Sequence, residues 1–149
     1  MKSLFDAATA DELKQRLAKL TPQTQHLWGK MNVAQMMAHC SVAMEVSLGD
    51  KMMRQDFAGK VFGKWAKASI LGDKPMSKSL PTDKSYVVSD DRDFELERRR
   101  LAGYIDRFQA GGPKGCTTGP HSFLGKLTPE EWSVLNYRHL DHHLQQFGV

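Results

Sequence analysis

The sequence predicts an all-α chain, a four-helix bundle with long crossover connections and short extra helices. Three observations lead there. Apolar residues recur three and four positions apart over most of the chain, the spacing that makes one face of a helix. Helix-start signals, Ser, Thr, Asp or Asn at the entry with Pro or a capping Glu behind it, precede several of these runs. No two segments alternate as paired strands would; only "SYVVS", residues 85–89, has strand character, and it is short and isolated.

The first helix is expected over Thr9 to Lys19, where Thr9 and Glu12 have the spacing of a capping box and Leu13, Leu17 and Leu20 form one stripe. "LTPQTQHLWGKMN" follows, with Thr21-Pro22 as a favoured entry pair, and reads as a short helix or helical turn. Asn32 then caps a strong helix to Leu48, with Val33, Met36, Met37, Cys40, Ala43 and Met44 on one side and Gly49 as its stop. Another run, Asp56 to Ala68, carries Phe57, Val61, Phe62 and Trp65. The segment "LGDKPMSKSLPTDKSYVVSDDRD" is rich in proline, serine and charge and reads as a long connection. A further helix runs from Asp93 to Ala110 on Phe94, Leu101, Tyr104, Ile105 and Phe108, and Gly111-Gly112-Pro113 ends it. After the connection "GGPKGCTTGPHSFLGK", Thr128, Pro129 and Glu131 open the last helix with a second capping box. The sum is four main helices plus short ones. "KLTP" occurs twice, but both copies are helix starts and no repeat surrounds them.

Length and composition narrow the class. A chain of 149 residues fits one domain, 1–149, with its own core. The net charge of +4 is spread out; its dense clusters are "ERRR" at 97–100 and the Lys60, Lys64, Lys67 ladder. Acidic residues interrupt the arginines, so the focused stripe that nucleic acid needs is missing, and no nucleic-acid partner is expected. Arg98, Arg99 and Arg100 read as a solvated helix face. No apolar run reaches membrane-spanning length and the N-terminus resembles no leader, so no membrane partner is expected and the cytoplasm is the default. Two distant cysteines, Cys40 and Cys116, suit a reducing compartment.

The chemistry gathers at "YRHLDHHLQQFGV", residues 137–149, which holds three of the six histidines. At about 100° per residue, His139 and His143 share a face one turn apart and border the stripe of Leu140, Leu144 and Phe147. His142 is displaced toward Arg138 and looks more exposed, while Asn136 lies one turn before the pair, within reach of a hydrogen bond to it. Imidazoles at i and i+4 can converge on one divalent metal. His39 in "MMAHCS" is the best third ligand because ligands on facing helices of a bundle meet in its core. It sits about 100° from the centre of its own stripe, so a shoulder or surface histidine is the competing reading.

With His39 and His139-x-x-x-His143, the chain resembles the DinB and YfiT-like superfamily of metalloenzymes, and within it an uncharacterised branch, a domain of unknown function. The resemblance covers nearly the whole chain, through "WGKMNVAQMMAHC", "HSFLGKLTPEEW" and, most specifically, "HLDHHLQQFG". It implies a bacterial-type DinB-like bundle holding nickel or zinc through one histidine of an early helix and two of the last, which match His39, His139 and His143. It also implies thiol-dependent transferases or isomerases that use low-molecular-weight thiols, and it suggests a homodimer, although no isolated apolar stripe in the chain demands one.

Three histidines leave a coordination position open, as in catalytic sites. A metal there can activate a thiol as nucleophile or a water for hydrolysis of a small-molecule substrate, and the sequence does not choose between them. His121, in "GPHSFLG", is a candidate for the pocket together with Asn136 and His142, against the blander reading of a loop histidine bonding backbone. Cys40 lies in an apolar stripe and behaves as a small hydrophobe, and Cys116 has no evident partner. The rival to the enzyme reading is a helical interaction or stress-associated protein whose histidines are structural.

Overall fold

A computed structural model describes residues 1–78, 80 and 82–149. Within them lie five α-helices, α1 (Ala7–Ala18), α2 (Val33–Leu48), α3 (Phe57–Ile70), α4 (Phe94–Gly111) and α5 (Pro129–Gln146), with 3-10 turns at Lys84–Tyr86 and Gly112–Gly115. No strand occurs among the described residues. The "SYVVS" segment begins inside a 3-10 turn, and an isolated bridge links His121 to Gly125. The first long connection passes through Ser79 and Pro81, which lie outside the described residues.

Local sequence chemistry sets most helix starts. The Asn32 side chain accepts the Gln35 backbone N–H at 2.8 Å while Gln35 Oε1 accepts from Asn32, a reciprocal cap, and Gly49 at φ 80° stops the helix. Asp93 caps α4 through the Leu96 N–H, and Thr128 with Glu131 forms the expected box on α5. One expectation fails: α1 starts at Ala7 after Asp6, and Thr9 is a buried residue inside it, so its hydroxyl does not cap. Of the two forms expected for the Thr21-Pro22 segment, the turn is the one present; Thr24 N–H donates to Thr21 O at 3.0 Å and Thr24 Oγ1 accepts the Thr21 N–H. That local side-chain bond competes with helix propagation.

Helices α1, α2, α4 and α5 pack on one another around a shared core in which Leu13, Leu17, Met36, Cys40, Leu101, Ile105, Leu140 and Leu144 meet. α2 is the central element, buried on nearly all sides. α4 is held to it by charge as well as packing. Glu97, only 3% exposed, receives Arg92 and Arg100, and Arg100 continues to Glu45, which also accepts the Tyr104 hydroxyl at 2.8 Å. Arg100 therefore does not belong to a solvated face; it ties two helices together, whereas Arg98 pairs with Glu95 on the surface.

α3 stands outside this group, and its orientation is unusual. Gly59, Gly63 and Ala66 are its buried residues, while Phe57, Val61, Phe62 and Trp65 are exposed, Phe57 by 82%. A Cβ at either glycine would overlap the Phe123 carbonyl oxygen, so the small face alone can approach the loop beneath. The expectation that the chain carries no isolated apolar stripe is thereby corrected.

Glu97 is the buried member of its pairs, and the arginines it holds are about a third exposed and keep Asp90 and Glu45, while an exposed i,i+3 pair contributes little. Glu97→Ala should lose about 1.5 kcal/mol of stability in urea unfolding through its lost charge-assisted hydrogen bonds, and Arg98→Ala less than about 0.5 kcal/mol.

Candidate metal centre

Three imidazoles from two helices converge. His39 comes from α2, and His139 and His143 from successive turns of α5. His39 Nε2 lies 3.0 Å from His139 Nε2, the three ring centroids are 4.7 to 4.9 Å apart, and one nitrogen of each lies within 4.8 Å of the others. His39 and His143 are buried; His139 retains partial exposure although the centre of its ring is deeply enclosed.

Two tautomers follow from the hydrogen bonds. His39 Nδ1 is 2.8 Å from the Tyr86 carbonyl, which only accepts, so the proton sits on Nδ1 and Nε2 is bare. His143 Nδ1 is 2.7 Å from Gln146 Oε1, and Gln146 Nε2 donates to the Trp28 carbonyl at 2.7 Å. That second bond fixes which end of the amide faces the histidine, so His143 also carries its proton on Nδ1. Gly29, at φ 88°, lets the Trp28 loop lie against this amide, where a Cβ would strike Gln146 Nε2. Nε2 is therefore the bare nitrogen of both rings, and each ring is oriented by an acceptor on its Nδ1, as metal-binding imidazoles require.

Electrostatics favour the same state. Burial lowers the pKa of His39, takes His143 down to about 3, and depresses His139 far below its ordinary value, with His143 and His39 adding repulsion at His139. The imidazoles are neutral at pH 7, so a cation need not displace protons to bind. Nitrogens about 2.1 Å from a tetrahedral ion lie ~3.4 Å apart, and the His39–His139 pair is within a few tenths of an ångström of that. The donor set fits a divalent metal.

The other candidates fall in different places. His121 stacks on Tyr86 (6.1 Å, 21°) and lies 5.8 Å from the Trp132 ring. Its Nδ1 accepts the Phe123 and Leu124 N–H groups at 3.1 and 3.2 Å, so Nε2 carries the proton, and burial takes the pKa down to about 4. It both bonds backbone and remains a neutral Nε2–H donor. Asn136 is buried, but its amide donates to Ser47 Oγ at 2.9 Å, registering α5 on α2 rather than serving the histidines. His142 is half-buried, edge-on to Trp28 at 5.7 Å and outside the triad. Cys40 is buried with its thiol pKa pushed up, and Cys116, half-buried, is raised to about 11, so neither is an available thiolate at neutral pH.

Around His121, Trp132 Nε1 is buried without a hydrogen-bond partner among the described residues, whereas the Ser122 hydroxyl lies close to both Tyr86 Oη and Asp83. Tyr86 and Gln146 escaped the sequence reading. Gln146 had a signal, its i+3 spacing from His143; Tyr86 had none, because it acts through its backbone carbonyl.

Fold and site together define an all-helical protein with a buried three-histidine cluster that can hold a metal ion. The chain belongs to the family described as "Protein of unknown function (DUF1569)", whose model matches residues 2–148. No curated protein and no solved structure matches it.

Because His39, His121, His139 and His143 have folded pKa values below the unfolded value of about 6.5, the unfolded chain binds more protons beneath that pH. Stability of metal-free protein should be intact above pH ~6.5 and fall as the pH drops, each histidine adding up to ~1.4 kcal/mol per pH unit. Urea titrations at pH 7.5 and 5.5, a window above most carboxylate titration, measure the slope. A flat profile would mean that the histidines protonate freely in the fold.

Proposed function

We propose that the chain is a divalent-metal protein of the DinB and YfiT-like kind, a four-helix bundle that binds nickel or zinc through His39, His139 and His143. The observation that carries this reading is three imidazoles with one nitrogen of each within 4.8 Å of the others, His39 and His143 being held in the Nδ1–H tautomer by Tyr86 O and Gln146. Three protein ligands leave a position for substrate, which favours a catalytic over a closed structural site. When bound there, a divalent ion supplies Lewis acidity that lowers the pKa of a thiol or water.

The chain's own groups supply the rest of the proposed activity, a thiol-dependent transferase or hydrolase acting on a small electrophile. His121 offers its Nε2–H to a developing negative charge or leaving group, and its pKa of about 4 keeps the ring neutral at neutral pH, with Nδ1 free to accept the Phe123 and Leu124 N–H groups. The orphaned Trp132 Nε1 is a polar atom that a bound small molecule can satisfy. The burial around it excludes water, which suits thiol transfer to an electrophile that water would otherwise hydrolyse.

A second reading has one observation behind it. The 3.0 Å His39–His139 separation is also that of an N–H···N bond, with His139 Nε2 donating to the bare His39 Nε2. Such a closed cluster suits a non-catalytic interaction or stress-associated protein.

Elemental analysis of protein purified without chelator or metal-affinity resin separates the two. About one metal per chain is expected, lost in the His139→Ala, His143→Ala double variant and in His39→Ala, with circular dichroism confirming the fold. Full stoichiometry in His39→Ala would refute the ligand set, and a chain that retains no metal after loading and dialysis would favour the closed cluster. Gln146→Leu should weaken metal affinity about 10- to 100-fold, because His143 loses the acceptor that orients it; competition with a chromogenic chelator gives the value.

A further inference from the structure

α3, "FAGKVFGKWAKASI", has two faces of different character. At about 100° per residue, Gly59, Gly63, Ala66 and Ile70 fall on one arc and Phe57, Val61 and Trp65 on the opposite one, with Phe62 on one flank and Lys60 and Lys64 along the other. The small arc lies on the loop at Phe123. The aromatic arc faces outward, Phe57 being 82% and Trp65 78% exposed, with Val61 and Phe62 more than half exposed beside them.

This arrangement is held in place. Asp56 caps the helix, its backbone N–H donates to Ser122 O at 2.8 Å, and Gln55 Nε2 reaches Phe123 O at 3.1 Å. At the far end Lys67 bridges to Glu131 at 2.7 Å and donates to Lys126 O. Lys67 is thus turned inward. Lys60 and Lys64 are exposed, with no ion pair among the described residues, and the helix contains no acidic residue. Exposed Arg54 and Lys74 flank it; Asp56, at the cap, and Asp73, beyond the end, are the nearby acidic residues in sequence.

We infer that the outward face of α3 is a docking surface for an anionic lipid bilayer, with the helix lying in the plane of the headgroups. An apolar arc carrying Trp and two Phe beside exposed lysines is the pattern of an interfacial helix, in which aromatic side chains enter the headgroup boundary and lysines meet anionic lipid. No helix among the described residues is long and apolar enough to cross a membrane, and this attachment needs none. Charge complementarity selects the occupant. In an antiparallel pair of α3 helices from two copies, Lys60 and Lys64 of both would share one side, with no acidic side chain in either helix to answer them. A bilayer of anionic headgroups answers both.

The test uses the full chain and sedimentation with vesicles of phosphatidylcholine alone or in equal parts with phosphatidylglycerol. Binding is expected only to the mixed vesicles, with a blue shift in emission assigned to Trp65, since Trp132 is buried and Trp28 is not among the exposed large residues. Lys60→Gln and Lys64→Gln should weaken binding about five-fold each. Trp65→Ser should abolish it without changing metal content, so the result stands apart from the fate of the metal site. Equal affinity for both vesicle types, or no binding to either, overturns the inference. A dimer in ultracentrifugation that Trp65→Ser dissolves, with no vesicle binding, assigns the face to a second copy and equally overturns it.

Discussion

The structure depends on the register of α5 against α2. His39 and His139 are separated by 100 residues, yet their Nε2 atoms lie 3.0 Å apart. A sliding of one helix by a single turn, about 5 Å, would dissolve the cluster. The register is fixed by polar contacts on either side of the histidines. Asn136 donates to Ser47 Oγ below them, and Gln146 reaches the Trp28 carbonyl above, while Leu140 and Leu144 fill the core between. Buried polar bonds of this kind specify alignment because misaligned partners would be left unsatisfied in a medium without water.

The same register creates an electrostatic demand. Three imidazoles in contact cannot be charged together, and burial opposes charging any of them. Tyr86 O and Gln146 Oε1 fix the tautomers of His39 and His143 by accepting their Nδ1–H groups, which leaves the bare nitrogens with each other. A site of this kind is satisfied by a proton on His139 or by a cation among the three. That choice is local, and the packing around it need not change for either.

How much of this could be read from sequence depends on how local the cause is. The starts of α2, α4 and α5 were legible because a cap is made by residues three apart, and the His139–His143 pair because one helical turn relates them. His39 was harder: its helical wheel placed it away from the apolar stripe, which is informative only for a helix with one buried side, and α2 is buried on nearly all of them. The Tyr86 carbonyl left no trace, since a backbone acceptor can belong to any residue. Thr9 misled because the capping spacing is also found where the hydroxyl residue is buried inside the helix.

The aromatic face of α3 points outward, against the rule that the apolar stripe of a surface helix faces the core, and the site loop explains it. The loop carrying His121 is closed by its bridge to Gly125 and clamped from outside by Gln55, Asp56 and the two glycines of α3. Side chains larger than glycine at 59 and 63 would push the helix off Phe123 and release the loop whose N–H groups fix the His121 tautomer. Glycine must therefore face inward. With the two faces of the helix on opposite sides of one cylinder, Phe57, Val61 and Trp65 then have nowhere to point except away from the protein. Hydrophobic pattern alone would have turned α3 over; close backbone packing beneath the site prevents it.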